Sequence, residues 1–513
     1  MSFELMLALS PVLVIVLGGA ALMITESMGR KVPAGNSPDA EEGSSSEVAL
    51  GTAITLFAGA IAAIGVWGYG PENLTKVQSL APYFVVDRFT LFFVFVLACG
   101  GALAALLAGG YLPEHRLDRG EFYPLITFSV VGAIALAAAA DLLAIFVALE
   151  TMSLGVYCLT GFRRGSARST EAAVKYFLLG SFAAALTVYG GALLYGATGH
   201  TDLAGLRKGI VALAANPAAA GAAGKLALVV AGMVLMIAGL AFKVSAVPFH
   251  MWTPDAYEGA PTPATSFMAV SVKSAAFAML LRVLLSGFGD PGSMSWSSGW
   301  PPLVATIAVL TMTVANFVAG RQESVKRMLA YSSIAHAGYI LVGVASAVRA
   351  PTDAQGSVLF YLLSYTFSTA GAFGALVLCG SRGKEAVSYE DLAGIGKRHP
   401  AAAAAFSLFL LSLAGVPPTA GFFGKLYIVK AAAGADMYVL AVILLLNSVV
   451  AAYYYLRVLV YMYMREPAAG APVAVPMKSG YVAAALVVAA MAVLGVGLLP
   501  GRSLEMALRA ALS

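Results

Sequence analysis

The chain has 513 residues, 60% of them hydrophobic and 11% charged, with a formal net charge of +5 and a mean hydropathy of +0.85. A soluble domain carries about 25% charged residues, so this composition excludes one and fits an all-α polytopic membrane protein. Its long apolar stretches also exclude a β-barrel of about 10-residue alternating strands. Basic residues scattered through short loops offer no surface for nucleic acid.

The first stretch, MSFELMLALSPVLVIVLGGAALMI, carries Glu4 and no basic start. It reads as a membrane helix and not a signal peptide. Apolar runs then recur, each near the roughly 20 residues that cross a hydrocarbon core of about 30 Å. They predict about fourteen spans: 4–24, 48–68, 82–110, 122–140, 142–161, 170–196, 225–247, 260–286, 301–319, 326–348, 356–380, 401–430, 435–464 and 479–499. The run from 122 to 161 must hold two spans, because 40 helical residues would be about 60 Å long; a tight turn at Asp141 divides it. The segment Val32–Glu47, rich in Gly, Ser, Pro and acid, reads as a flexible loop.

No stretch between spans is long enough for a soluble domain, so 1–513 forms one membrane domain. Alternate loops hold Arg30/Lys31, Arg116/Arg119, Arg163/Arg164/Arg168, Arg321/Lys326/Arg327, Arg382/Lys384/Lys397/Arg398 and Arg465/Lys478. The opposite set holds Lys76, Arg207/Lys208/Lys225, Arg282, Arg349, Arg502 and Arg509. That is 16 against 8, which places the first set in the cytoplasm and both termini in the periplasm.

Spans seven and twelve read as broken helices. Pro248 follows Lys243 by five residues, with Pro254, Pro261 and Pro263 close behind; Gly415, Pro417, Pro418, Gly421 and Gly424 precede Lys425. Proline removes an amide donor and glycine loosens the chain, freeing carbonyls near a charge. Such breaks persist at membrane depth only against protein or a watery cavity. Two broken, lysine-bearing spans five apart suggest a pair of five-helix repeats, 122–286 (spans four to eight) and 301–464 (nine to thirteen). Residues 1–121 then hold the first three spans and 479–513 the last span and tail.

Glu150, Lys243, Lys273 and Lys425 all lie inside apolar runs. Each would cost about 2.5–3.5 kcal/mol at the bilayer centre, so four of them call for a shared task, usually the carriage of protons or ions. Burial pulls a lysine toward its neutral form and a carboxylate pulls it back, so a balanced pair trades protons when its partner moves. Glu150 is the natural partner for Lys243, and the four outline a lateral chain of titratable groups. His336 and Lys175 are candidates to bridge its gaps, since imidazole relays protons near neutral pH. Both also have structural readings: Lys175 and Lys326, near helix starts, reach toward the interface, and His336 serves as a polar core residue. His250 follows the first break and caps the loop or joins the path. Lys430 reads as an interfacial anchor and Arg457 as structural.

Cys99, Cys158 and Cys379 lie in apolar spans without metal-ligand spacing, and read as small core side chains. Gly287, Gly289 and Gly292 satisfy a GxGxxG pattern but follow no strand, so the dinucleotide reading fails its context. No cofactor or metal is expected on this chain.

Phe242–Arg282, together with SVKRMLAYSSIAHAGYILVG and LAGVPPTAGFFGKLYIVKAA, resembles the antiporter-like membrane subunits of respiratory complex I. The resemblance covers essentially the whole chain. It implies fourteen helices, two inverted five-helix repeats and broken helices seven and twelve. It also implies a proton path in which a helix-five glutamate pairs with a helix-seven lysine, here Glu150 and Lys243, and continues through Lys273 and Lys425. Lys175, His250 and His336 match further polar positions. NADH, FMN, iron–sulfur clusters and quinone would then belong to partner subunits, and the chain would sit in the bacterial inner membrane beside other antiporter-like subunits. Subunits of multi-subunit Na⁺/H⁺ antiporters and membrane-bound hydrogenases share the helix-seven and helix-eight motif. A scaffold whose buried charges only fix helix register is the rival of another class.

Overall fold

A computed structural model describes residues 3–29, 46–74, 80–216, 218, 221–380, 383–467 and 474–512. Apart from its last two residues, the expected Val32–Glu47 loop lies outside the described residues, as do Arg30, Lys31, Lys76 and Arg382.

Twelve helices are long and apolar enough to cross a membrane, and two shorter apolar ones raise the spans to fourteen among the described residues. The first six are α1 (Phe3–Gly29), α2 (Ser46–Tyr69), α3 (Arg88–Glu114), α4 (Phe122–Ala138), α5 (Leu142–Thr160) and α6 (Ala167–Thr198). A short helix that the apolar pattern did not announce, α7 (Leu203–Ala215), precedes span seven, which is split into α8 (Ala222–Lys243) and α9 (Trp252–Gly259). Span eight is Thr262–Gly287, built from α10 (Thr262–Phe267) and α11 (Lys273–Arg282) with π-helical turns at Met268–Val272 and Val283–Gly287. Spans nine to eleven are α12 (Trp300–Ala319), α13 (Val325–Ser346) and α14 (Pro351–Cys379). A single turn, α15 (Ile395–Arg398), leads to the split span twelve, α16 (Pro400–Ala414) and α17 (Ala420–Gly434). Spans thirteen and fourteen are α18 (Tyr438–Met464) and α19 (Gly480–Leu498), followed by the amphipathic α20 (Pro500–Arg509).

Local chemistry sets these boundaries. Asp141 divides the 122–161 run as expected: its extended backbone ends the chain's first pass, and its side chain accepts from the Leu143 and Ala144 amides that α5 leaves unpaired. Span twelve breaks at Gly415, whose φ of +89° suits glycine, before Pro417 and Pro418. At the other break, the Phe242 carbonyl accepts from Trp252 Nε1 as well as from the Ser245 amide, each at 3.0 Å, and the Val247 amide donates to Thr311 Oγ1 at 2.9 Å. Side chains thus replace the missing helix bonds, as buried backbone requires.

Four spans form the interior: α3, span eight, α13 and α14 are each 94% buried over their most apolar window, whereas α1, α2, α6, α18 and α19 expose most of theirs. Peripheral helices therefore show apolar faces outward. Neighbours pair α4 with α5 and α6 with α8 in one half, and α12 with α13 and α14 with α17 in the other, a matching arrangement of spans four to seven and nine to twelve.

Three positions depart from the sequence reading. Arg282, counted as a loop residue, is 4% exposed in the last turn of α11. Lys326, expected at the interface, is 1% exposed. Both are retained by ion pairs that a linear pattern does not display, and removing them from the count leaves 15 against 7, so the bias persists. Cys158 is exposed on the outward face of α5, while Cys99 and Cys379 are buried. Arg457 is structural, its guanidinium 4.2 Å from the Tyr389 ring centroid and donating to the Gly320 and Gln322 carbonyls.

Candidate functional site

Lys243, Lys273 and Lys425 are all buried, at 2%, 1% and 7% exposure. Each is held differently. Lys243 ends α8, where an ammonium complements the helix's negative end. Its Nζ donates to Ser153 Oγ at 2.9 Å and Tyr157 OH at 3.4 Å, and lies 5.6 Å from the Tyr157 ring centroid. Ser153 and Tyr157 follow Glu150 by three and seven residues on α5, so all three share a face. Lys243 therefore reaches the hydroxyls and makes no ion pair within 4.0 Å with Glu150. The Glu150 Oε1 atom is buried without a hydrogen-bond partner.

Lys273 stands at the core of the interior four. It donates to the Ser333 carbonyl at 2.6 Å and to the Ser333 hydroxyl, which also accepts from Tyr365 OH at 2.8 Å. The π turn immediately before Lys273 is the kind of helix irregularity often found at functional sites. His336 lies one turn beyond Ser333 on α13. Its Nδ1 meets Tyr361 OH at 2.6 Å and its Nε2 meets Tyr455 OH at 3.0 Å, and Tyr455 in turn bonds Ser332. The His336 ring is also 5.1 Å from that of Tyr365. Two short hydrogen-bonded chains, Lys273–Ser333–Tyr365 and Ser332–Tyr455–His336–Tyr361, thus lie side by side.

Lys425 uses the second break directly. Its Nζ donates to the Ala414 carbonyl, freed where α16 stops, at 2.8 Å. A Cβ on Gly415 would lie 3.1 Å from Lys425 Cδ, so the glycine also makes room for the lysine. The ammonium is 5.4 Å from the Tyr339 ring centroid, and Tyr339 packs edge-on to His336 at 5.5 Å. Asn316 fixes the Tyr339 hydroxyl at 2.8 Å.

Between the Lys243 and Lys273 groups runs a file of aromatic rings: Tyr157 against Tyr176 at 4.8 Å, Tyr176 stacked on Trp252 at 4.3 Å, and Trp252 near Tyr257 at 6.2 Å. The buried hydroxyls of Ser245, Tyr257, Ser266, Ser274 and Thr369 have no protein partner, and such groups are normally satisfied by water.

Two expected residues lie apart. Lys175 is exposed, paired with Glu171 at 2.6 Å and Asp255 at 3.1 Å. It lines a surface cavity of about 470 Å³ with Arg168, Glu258 and Arg327. His250 is half-buried in the first break, with Nδ1 shut away from solvent.

Sequence reasoning missed one buried cluster altogether. Glu385, between spans eleven and twelve, accepts from Tyr111 OH at 2.5 Å and Thr262 Oγ1 at 2.6 Å. Lys326 Nζ lies 3.4 Å from both its oxygens and donates to the Ala260 carbonyl at 2.7 Å. Arg163 completes the set, donating to Tyr111 OH at 2.5 Å and standing 3.7 Å from Glu385. Burial pushes the Glu385 carboxyl up, but Lys326, Arg163 and the two hydroxyls overcome it and hold the group at about 2. In sequence, Glu385 is one polar residue in a polar loop; only Lys326, inside the motif SVKRMLAYSSIAHAGY, carried a hint. Among the described residues, no three His, Cys, Asp or Glu side chains gather as metal ligands.

The fold and these buried lysines beside two broken helices define the antiporter-like class of membrane proteins. The transmembrane family described as NADH:quinone oxidoreductase/Mrp antiporter matches residues 139–451. NADH-quinone oxidoreductase subunit N 1 of Sorangium cellulosum is 71% identical over 511 residues, covering 99% of this chain and 98% of that one. A chain in the structure of respiratory complex I from Thermus thermophilus with bound Aureothin is 33% identical, with a TM-score of 0.74 over 96% of this chain and 98% of that one. A chain of the Mrp complex from a Dietzia species gives a TM-score of 0.81 over 99% and 97%, at 22% identity, and so shares the fold. The chain belongs to the NADH:quinone oxidoreductase/Mrp antiporter membrane family and, within it, to the subunit N group.

Proposed function

We infer that the chain is a non-redox, proton-translocating subunit, of the N type, of a bacterial proton-pumping NADH:quinone oxidoreductase. NADH oxidation, flavin and iron–sulfur chemistry and quinone reduction belong to partner subunits. This chain lies among the other membrane subunits, antiporter-like neighbours included, in the inner membrane. The basic-loop bias favours the end bearing Arg163 and Lys384 in the cytoplasm and both termini in the periplasm. The two repeats are spans four to eight and nine to thirteen.

Protons move along Glu150, Lys243, Lys273, His336 and Lys425. Loss of the Glu150 charge, or its movement away, makes Lys243 a better proton donor. The proton passes to Lys273 and on through His336 to Lys425, for release outside; Ser333 and the tyrosine hydroxyls around His336 donate one proton as they accept another. Lys175 and His250 are auxiliary, the first at a rim and the second in a break. The observation that carries this reading is Lys273: an ammonium 1% exposed, held only by Ser333, in the most buried part of the protein. A scaffold has little use for a charge with no counter-ion there.

The test is NADH-driven proton translocation by the reconstituted complex carrying Lys273→Met. Pumping should fall at least fivefold in a complex that still assembles, because methionine fills the space without a charge. Normal pumping in the assembled variant removes the mechanism.

A further inference from the structure

Lys326 is a fourth buried lysine, one that the lateral path does not use. It shares a face of α13 with Ser333, seven residues on, and Ser333 is the residue that holds Lys273. Two helical turns, about 10 Å, separate them, and the intervening Ala330 is small and fully buried. On the facing α9, Tyr257 precedes by one turn the Ala260 carbonyl that Lys326 grips. Its hydroxyl is buried without a hydrogen-bond partner and lies within electrostatic reach of Ser333 and Tyr365. At the other end, Lys326 meets Glu385, whose side chain is 16% exposed, and Arg163, at 32%. A buried ammonium thus has a water-touching anion on one side and hydroxyls leading to Lys273 on the other.

We propose that Lys326, gated by Glu385, is the proton inlet of this subunit, loading Lys273 along the face of α13. The proposal rests on the proton-path reading above. Lys326 gives one proton through the Tyr257 and Ser333 hydroxyls to a neutral Lys273 amine, each hydroxyl accepting one proton and donating one. The neutral Lys326 amine then takes a proton from water at the Glu385 end. Glu385 remains charged throughout: it attracts the incoming proton and returns Lys326 to its ammonium form. Thr262 and Tyr111 hold the carboxylate in place, so both are positioning residues.

A purely structural clamp would need only the charge of Lys326, whereas an inlet needs a proton that can leave. Arginine keeps the charge and the pairing with Glu385 but does not deprotonate. The experiment is therefore proton translocation by the reconstituted complex carrying Lys326→Arg, beside the double variant Lys326→Gln/Glu385→Gln, which removes the buried ammonium and its carboxylate together. The inlet predicts at least a fivefold loss of pumping in each variant that assembles. Wild-type pumping in either assembled variant overturns it, and if arginine proves too bulky to assemble, the double variant decides alone. Lys273→Met separates the two readings: if it abolishes pumping while Lys326→Arg pumps normally, the inlet fails and the path stands; if both pump normally, the path itself fails.

Discussion

Single residues here hold positions that neighbours make tolerable, and two of them give direct tests. Gly415 adopts φ +89° and lies against the Lys425 side chain. Gly415→Ala should cost about 1–2 kcal/mol through left-handed strain, and should displace the ammonium from the Ala414 carbonyl. Thermal melting of the detergent-solubilised complex reads the first effect and proton translocation the second. Glu385 makes a different prediction. Its folded carboxyl titrates at about 2 against an ordinary 4.5, so its contribution to stability is present in full above pH 4.5 and is lost as pH falls through about 2. The melting-temperature gap between wild type and Glu385→Gln should stay constant from pH 7 to 5 and shrink below 4.5. A gap that widens on acidification would show that the carboxylate is not held by cations.

At the scale of elements, span eight is pinned at both ends around its lysine. Thr262, at its start, donates to Glu385. Near its end Arg282 donates through both terminal nitrogens to Asp87 at 3.0 Å, through Nε to the Ala137 carbonyl and also to Thr90 Oγ1. Burial raises the Asp87 carboxyl, and Arg282 together with Thr90 more than reverses it, holding the group below the ordinary carboxylate value. Asp87→Asn would strand a guanidinium that is 4% exposed, at a cost of about 3 kcal/mol. Asp87→Asn/Arg282→Met should recover most of that loss, which paired melting curves would reveal. Additive losses would mean that the two residues act independently. Between these anchors lies the π turn Met268–Val272, immediately before Lys273.

For the whole molecule, α3, span eight, α13 and α14 form an interior that helices with outward apolar faces enclose. Much of this was legible in the sequence. Lys243, Lys273 and Lys425 announced themselves because a charge inside twenty apolar residues is rare and costly. Both breaks were visible because proline and glycine act on the local chain. What escaped was pairwise. Lys326 and Arg282 looked like ordinary helix-end cations, and Glu385 like a loop acid, until partners 59, 195 and 274 residues away appeared. The distance between Glu150 and Lys243 was equally hidden, since the α5 hydroxyls that reach Lys243 first are one and two turns along the same face.

Hydropathy and a handful of submerged charges were enough to specify the membrane class, the number of crossings and the lysines at its centre, because the cost of leaving water is paid residue by residue. Tertiary structure alone decided which partner each lysine touches, that Lys175 stays at a rim and that Lys326, Arg163 and Glu385 gather in one ionic cluster. Those outcomes depend on distances between helices remote in the chain, and such distances leave no trace in a local pattern.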